Sequence, residues 1–218
     1  MKIDVTRHLG LIQREVAVRD REGKPAQVLT ASRTYETEID DVWDAITNPE
    51  RIARWFSPVS GELREGGRFQ IEGNAGGKIV RCDPPKSVAL TWEYGGDVSW
   101  VGVVLTEVQP GHTRLVLEHA AHTPEDFWER YGAGATGVGW DLAILGLAEH
   151  LAGAADIDPK QAEQWPATPD GNKWVAHCSE GWGAAQVAAG APKTASDAAV
   201  ARTFAFYTGQ AEPVDSTS

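Results

Sequence analysis

The chain is poor in cysteine, in basic charge and in long apolar runs. Its two cysteines, Cys82 and Cys178, lie far apart with no CxxC. They read as free thiols in a reducing compartment, and no disulfide framework is expected. Lysine and arginine number 20 against 31 aspartates and glutamates, a net charge of −11. With no basic stripe to release counterions from phosphates, a nucleic-acid partner is disfavoured. No run of about 18 apolar residues is present, so no membrane span is expected. The opening segment, MKIDVTRHLGLIQREV, lacks the apolar centre of a secretory signal, and a cytoplasmic location follows as the expectation. No third His or carboxylate stands at metal-ligand spacing beside His119 and His122, which argues against zinc. No GxSxG and no papain-like cysteine context occurs either. No metal and no cofactor is expected. What the chain does have is 218 residues, enough for one good-sized core, and nine tryptophans.

Its order is more informative than its composition. LIQREVAVRD and PAQVLTASRTYET alternate around REGK and predict a hairpin. Ile39, Val42, Trp43 and Ile46 have helical spacing with one buried face, and Asp40 is the expected N-cap. Pro49 stops that helix and opens the next, PERIARWF, as a first-turn proline. From residue 59 to 120 the period is two. Gly/Pro turns at Glu65-Gly66-Gly67, Gly73 to Gly77, Asp83 to Lys86, Gly95 to Asp97 and Gln109 to His112 divide it into short strands, an antiparallel meander. PEDFWERY is a short helical piece. VGWDLAILGLAEHLAG then carries Trp140, Ile144, Leu147 and Leu151 on one stripe, widened by Leu142 and Leu145, with Gly153 as its stop. A strand region, a helix pair, a meander and a long helix make an α+β domain, its curved sheet wrapped on one long helix. Such an arrangement leaves an apolar hollow suited to a small molecule.

From about Val28 to Gly153 the chain resembles the START-like (SRPBCC) superfamily with its helix-grip fold. More narrowly it is similar to the Aha-type branch, named for homologues of an activator of a heat-shock chaperone's ATPase. The residues that carry the likeness are Val42 to Glu50 (VWDAITNPE), Arg54-Trp55-Phe56, Gly66-Gly67-Arg68-Phe69 and Asp83-Pro84-Pro85. Thr91-Trp92-Glu93, Thr113-Arg114-Leu115 and Gly139-Trp140-Asp141 complete it. The resemblance implies a place among ligand carriers, polyketide cyclases and chaperone regulators, and fold alone does not choose between them.

Residues 1–153, with the N-terminal hairpin, are therefore read as the helix-grip domain and residues 154–209 as a helical extension. Residues 210–218 read as a disordered tail. The extension holds three of the nine tryptophans, at Trp165, Trp174 and Trp182. Trp174, Cys178, Trp182 and Ala185 have helical spacing, as do Val200, Phe204 and Tyr207. So much aromatic surface implies docking, either on the domain (where it would serve as cover or as a lid) or on a second copy in a homodimer.

The candidate site residues are Trp55, Phe69, Ile71, Arg81, Trp92, Leu117, His119 and Trp140. Trp92 shares strand phase with Val88 and Leu90, and Trp140 begins the gripped helix, so indoles would line a hollow for a flat hydrophobic ligand. Core packing is the plainer role for any one of them. His119 shares phase with Leu115 and Leu117 and is either an acid/base group or a satisfied structural histidine. Arg81, in phase with Ile79, is the best inward cation and the matching anion stabiliser. Arg54 and Asp141 are further candidates for polar anchors at the cavity mouth, with a surface salt bridge as the alternative. His122 is expected in solvent, and Trp100, out of phase with Val101, Val103 and Leu105, is free to meet the extension. Gly132, Gly134 and Gly137 spell GxGxxG but follow a helical piece instead of a strand, so they read as a flexible, kinked lead-in to the long helix. Gly73 to Lys78 is a hairpin turn without P-loop spacing. The function expected is binding of a small hydrophobic or aromatic ligand, with cyclase-like or other enzymatic activity left open. The contrasting expectation is a protein-interaction module with a chaperone partner.

Overall fold

The structure, a computed structural model, describes residues 3–213. Strands β1 (Gln13–Arg21) and β2 (Lys24–Tyr35) pair antiparallel around Glu22-Gly23. Both turn residues have positive φ, 55° and 79°, which a two-residue turn needs if its twist is to match the strands. Helices α1 (Ile39–Thr47) and α2 (Pro49–Trp55) meet at Asn48. Its side-chain oxygen accepts from the Glu50 amide at 3.0 Å, and the fixed φ of Pro49 is already helical. The N-cap of α1 is Glu38, not Asp40, because Ile39 is itself helical. Asp40 and Asp41 fall in the first turn, where they complement the helix dipole.

The meander follows as β3 (Val59–Gly61), β4 (Arg68–Ile71), β5 (Gly76–Asp83), β6 (Ser87–Tyr94), β7 (Asp97–Gln109) and β8 (His112–Ala121). The eight strands of the described residues form one antiparallel sheet in the order β1-β2-β8-β7-β6-β5-β4-β3. After α3 (Glu125–Tyr131), helix α4 (Gly134–Leu151) crosses the inner face, and Gly153 follows it at φ 79°. This is the α+β helix-grip arrangement.

Helices α5 (Pro159–Gln164), α6 (Pro169–Ala188) and α7 (Lys193–Thr208) follow. Helix α6 packs on α4 and on β1, and α7 packs on α6 and α3. Trp165, Trp174 and Trp182 are at most 3% exposed. The glycines before and in α4 make this docking possible. A Cβ on Gly134 would strike Thr203, and one on Gly137 would strike the Trp182 indole. Close helix approach, more than flexibility, accounts for that glycine-rich stretch; Gly132, at φ 57°, ends α3. Of the final nine residues, 214–218 lie outside the described residues. Glu212 accepts from the Tyr131 hydroxyl at 2.7 Å.

Candidate functional site

The inner face of the sheet curls away from α4 at the β4–β6 end, and α1 and α2 close that side. The gap is a cavity of about 370 Å³. Its floor comes from the strands: Phe69 and Ile71 on β4, Ile79 and Cys82 on β5, Val88, Leu90 and Trp92 on β6, Val101 and Val103 on β7, Leu115 and Leu117 on β8. Its roof is Trp140, Ala143, Ile144 and Leu147 of α4, and its side wall is Trp43, Ile46, Thr47, Ile52, Trp55 and Phe56 of the helix pair. Four indoles therefore face one apolar space. Among the described residues, no Asp, Glu, Lys, Arg or His lines it.

Six of the eight expected residues, Trp55, Phe69, Ile71, Trp92, Leu117 and Trp140, border this space, and Arg81 and His119 do not. Arg81 is exposed because β5 slips register. Ile79 faces Leu90, yet Arg81 faces Ala89, so the strand carries an extra residue at Val80. A β-bulge of this kind reverses the alternation beyond it. It turns Arg81 outward and brings Cys82 inward. Burial pushes the Cys82 thiol up from its ordinary value, and the Glu65 and Asp83 carboxylates push it the same way, which leaves it a poor nucleophile.

His119 does face inward, opposite Leu29 and Val101, but it sits behind the aromatic wall and is 6% exposed. The Trp140 Nε1–H donates to its Nδ1 at 2.9 Å, and its Nε2 lies 2.8 Å from the Ser99 hydroxyl. Since Nδ1 accepts, the proton must be on Nε2, the neutral tautomer. Burial holds its pKa down to about 4, so at neutral pH it is the neutral imidazole and not the imidazolium that a general acid would need. Of the two expected roles, the satisfied structural histidine is the one the geometry fits.

Asp141 is not at the cavity mouth. It is completely buried on the opposite side of α4. Its Oδ2 accepts from Arg14 Nε at 3.0 Å and from Trp182 Nε1 at 2.9 Å, so it joins α4 to β1 and α6. Burial raises its pKa to about 6, against the opposing pull of Arg14. Arg54 is exposed. Trp100 lies under Arg21, 4.7 Å from guanidinium to ring centroid, and edge-on to His122. His122 is exposed, with Nδ1 3.1 Å from the Pro25 carbonyl oxygen. No residue of α5, α6 or α7 lines the cavity, so the extension is not its lid.

Residues 36–152 match the family described as activator of Hsp90 ATPase homolog 1-like protein. The chain belongs to this family. Among solved structures, CalU16 from Micromonospora echinospora is 34% identical as a crystal structure, with a TM-score of 0.57 over 77% of this chain and 98% of that one. Its solution structure gives 32% identity and a TM-score of 0.68 over 82% of this chain and 96% of that one. These matches span more of the chain than the family match does. PFC0360w, an Hsp90 activator from Plasmodium falciparum, is 22% identical with a TM-score of 0.50 over 58% of this chain and 96% of that one, a likeness of fold alone. Among curated proteins none matches.

Several cavity residues of this Hsp90-activator-like chain were not anticipated from sequence: Trp43, Ile46, Ile52, Phe56 and Cys82. A signal for the first two existed. Helix α1 has more apolar residues than one contact needs: Val42 and Ala45 are fully buried, while Trp43 and Ile46 are only half-buried and reach the hollow. For Cys82 no signal existed short of the bulge.

Proposed function

We propose that this protein binds a small, uncharged hydrophobic or aromatic molecule in the cavity between the sheet and α4. The observation that carries this reading is the cavity itself. A well-packed interior leaves few voids larger than a water, whereas about 370 Å³ falls in the range of ligand sites. Its indole walls favour flat rings through stacking and edge-to-face contact. A ligand charge placed against this wall would meet no counter-charge, a costly burial. Among the described residues the wall holds no carboxylate, histidine, lysine or arginine, and the reading offered is binding.

The test is titration with N-phenyl-1-naphthylamine, an uncharged aromatic fluorophore, together with native mass spectrometry of protein from its own host. Saturable one-to-one binding that is weakened in Trp92→Ala supports the proposal. A fluorophore that shows no saturable binding, with no retained small molecule, sinks it. A second reading, a chaperone co-regulator, has the family description behind it. It requires binding to an Hsp90-type chaperone that is indifferent to the cavity variants.

A further inference from the structure

We infer that His119 is a positioning residue for the ligand cavity: it fixes the Trp140 indole, against which the Trp92 indole stands, in the wall in front of it. This rests on the cavity-binding reading above. The hydrogen bonds run in one direction. Trp140 Nε1–H donates to His119 Nδ1 at 2.9 Å. His119 Nε2–H donates to Ser99 Oγ at 2.8 Å, and the Ser99 hydroxyl donates to the backbone carbonyl of Trp92 at 3.2 Å. Every proton in the series is committed to an acceptor, so only one tautomer of His119 satisfies it. The series ties α4 to β8, β7 and β6 across the back of the cavity wall.

The tie holds the Trp140 ring directly and Trp92 by its main chain, and the Trp92 ring is met through ring contacts. Trp140 stands edge-on to Trp92 at 5.1 Å between centroids, and Trp92 meets Phe69 at 6.4 Å. Trp140 and Trp92 each also flank His119, at 5.8 and 6.5 Å. Without an acceptor behind it, the Trp140 N–H would be unpaired and partly buried, a cost the indole relieves by rotating out of its present plane. The ring that a ligand stacks on would then no longer be held in place before binding. The elements around His119 face it with Leu29 of β2, Ser99 and Val101 of β7, Trp92 of β6 and Trp140 of α4. None is charged, and only burial acts on its proton affinity. His119 therefore works as a neutral hydrogen-bond relay over the whole physiological range.

The experiment compares His119→Leu, His119→Asn and Trp140→Phe in the full chain, reading both thermal midpoint and N-phenyl-1-naphthylamine affinity. Asn keeps an oxygen where Nδ1 stood but loses the Ser99 bond; Leu loses both. A positioning role predicts that His119→Leu weakens the fluorophore by roughly three- to tenfold, the worth of one hydrogen bond. It predicts that His119→Asn melts lower than the native protein yet keeps its affinity within about twofold. Combining His119→Leu with Trp140→Phe should weaken binding no further than the worse single variant, as expected of two residues acting through one bond. If affinity instead follows melting temperature in all variants, or stays native in His119→Leu, the positioning role is wrong while cavity binding stands. Should His119→Leu not fold, His119→Asn and Trp140→Phe still decide: equal, stability-proportional losses in both overturn the proposal. If native protein does not bind the fluorophore at all, the cavity reading fails and this inference with it.

Discussion

Replacing Gly137 by alanine should destabilise the protein, although alanine is the better helix former. Gly137 is in the first turns of α4, and its missing side chain admits the Trp182 indole of α6. Glycine to alanine in a helix gains about 0.5–1 kcal/mol from backbone entropy and propensity. Forcing a methyl group into filled space typically costs about 1–3 kcal/mol. Trp182 is 1% exposed and tethered to Asp141, so it cannot swing aside cheaply, and the cost should fall in the upper part of that range. The net effect is a loss of about 1–2 kcal/mol, or roughly 2–8 °C in melting temperature for a chain of this size. Calorimetry or circular dichroism melts measure it. Trp182→Leu removes the indole, and in that background Gly137→Ala should turn neutral or stabilising. A Gly137→Ala protein that melts at or above the native temperature would show that α6 does not press on α4 as described.

Three other outcomes follow from the same contacts. Arg14→Met removes the cation from a carboxylate with no exposure and should cost about 3–5 kcal/mol. Asp141 has a folded pKa of about 6, above its unfolded value of about 3.9. Its contribution is thus complete below about pH 4 and lost as pH rises through 6. Losing Arg14 raises its pKa further, so the deficit, read from melts at pH 5 and pH 8, should be larger at pH 8. His119 behaves in the opposite sense. Its folded pKa of about 4 lies below the unfolded value of about 6.5, so its contribution is full above 6.5 and declines as pH falls toward 4. That amounts to about 3 kcal/mol over the window, and His119→Asn should flatten that part of the acid melt profile. Arg81→Ala, at an exposed position outside the cavity, should shift stability by no more than about 0.5 kcal/mol and leave fluorophore binding unchanged.

The outcome at Arg81 shows where sequence stops informing. Alternation locates every strand of the meander, and Gly/Pro turns mark its corners, because both are local. A bulge is not local. Nothing in KIVRC signals that Val80 is an extra residue, since the shift is fixed by pairing with Leu90 and Ala89. One inserted residue then exchanges an arginine for a cysteine in the cavity wall. Asp141 is a similar case. A carboxylate beside Trp140 on a helix reads as a polar rim residue as long as the other side of that helix is assumed to face water. Here that side faces Arg14 and Trp182, 127 and 41 residues away in the chain. His119, by contrast, was legible as an inward histidine from strand phase alone. Its partners were not, because they come from two other elements.

Trp140 and Asp141 are neighbours in sequence that point to opposite sides of α4, and this gives the helix two functions at once. Trp140, Ala143, Ile144 and Leu147 roof the cavity. Gly134, Gly137 and Asp141 receive α7 and α6. A helix covered on both sides has no amphipathic freedom to slide or roll: any rotation that widens the cavity must drag Asp141 from its two donors or drive Gly137 into an indole. Leaving a buried carboxylate partly unpaired costs more than a neutral hydrogen bond does, so the polar contact resists rotation more steeply than apolar packing alone would. The C-terminal helices therefore bear on the cavity without touching it. They fix the height and pitch of α4, α4 fixes Trp140, and the bond to His119 carries that placement into the sheet.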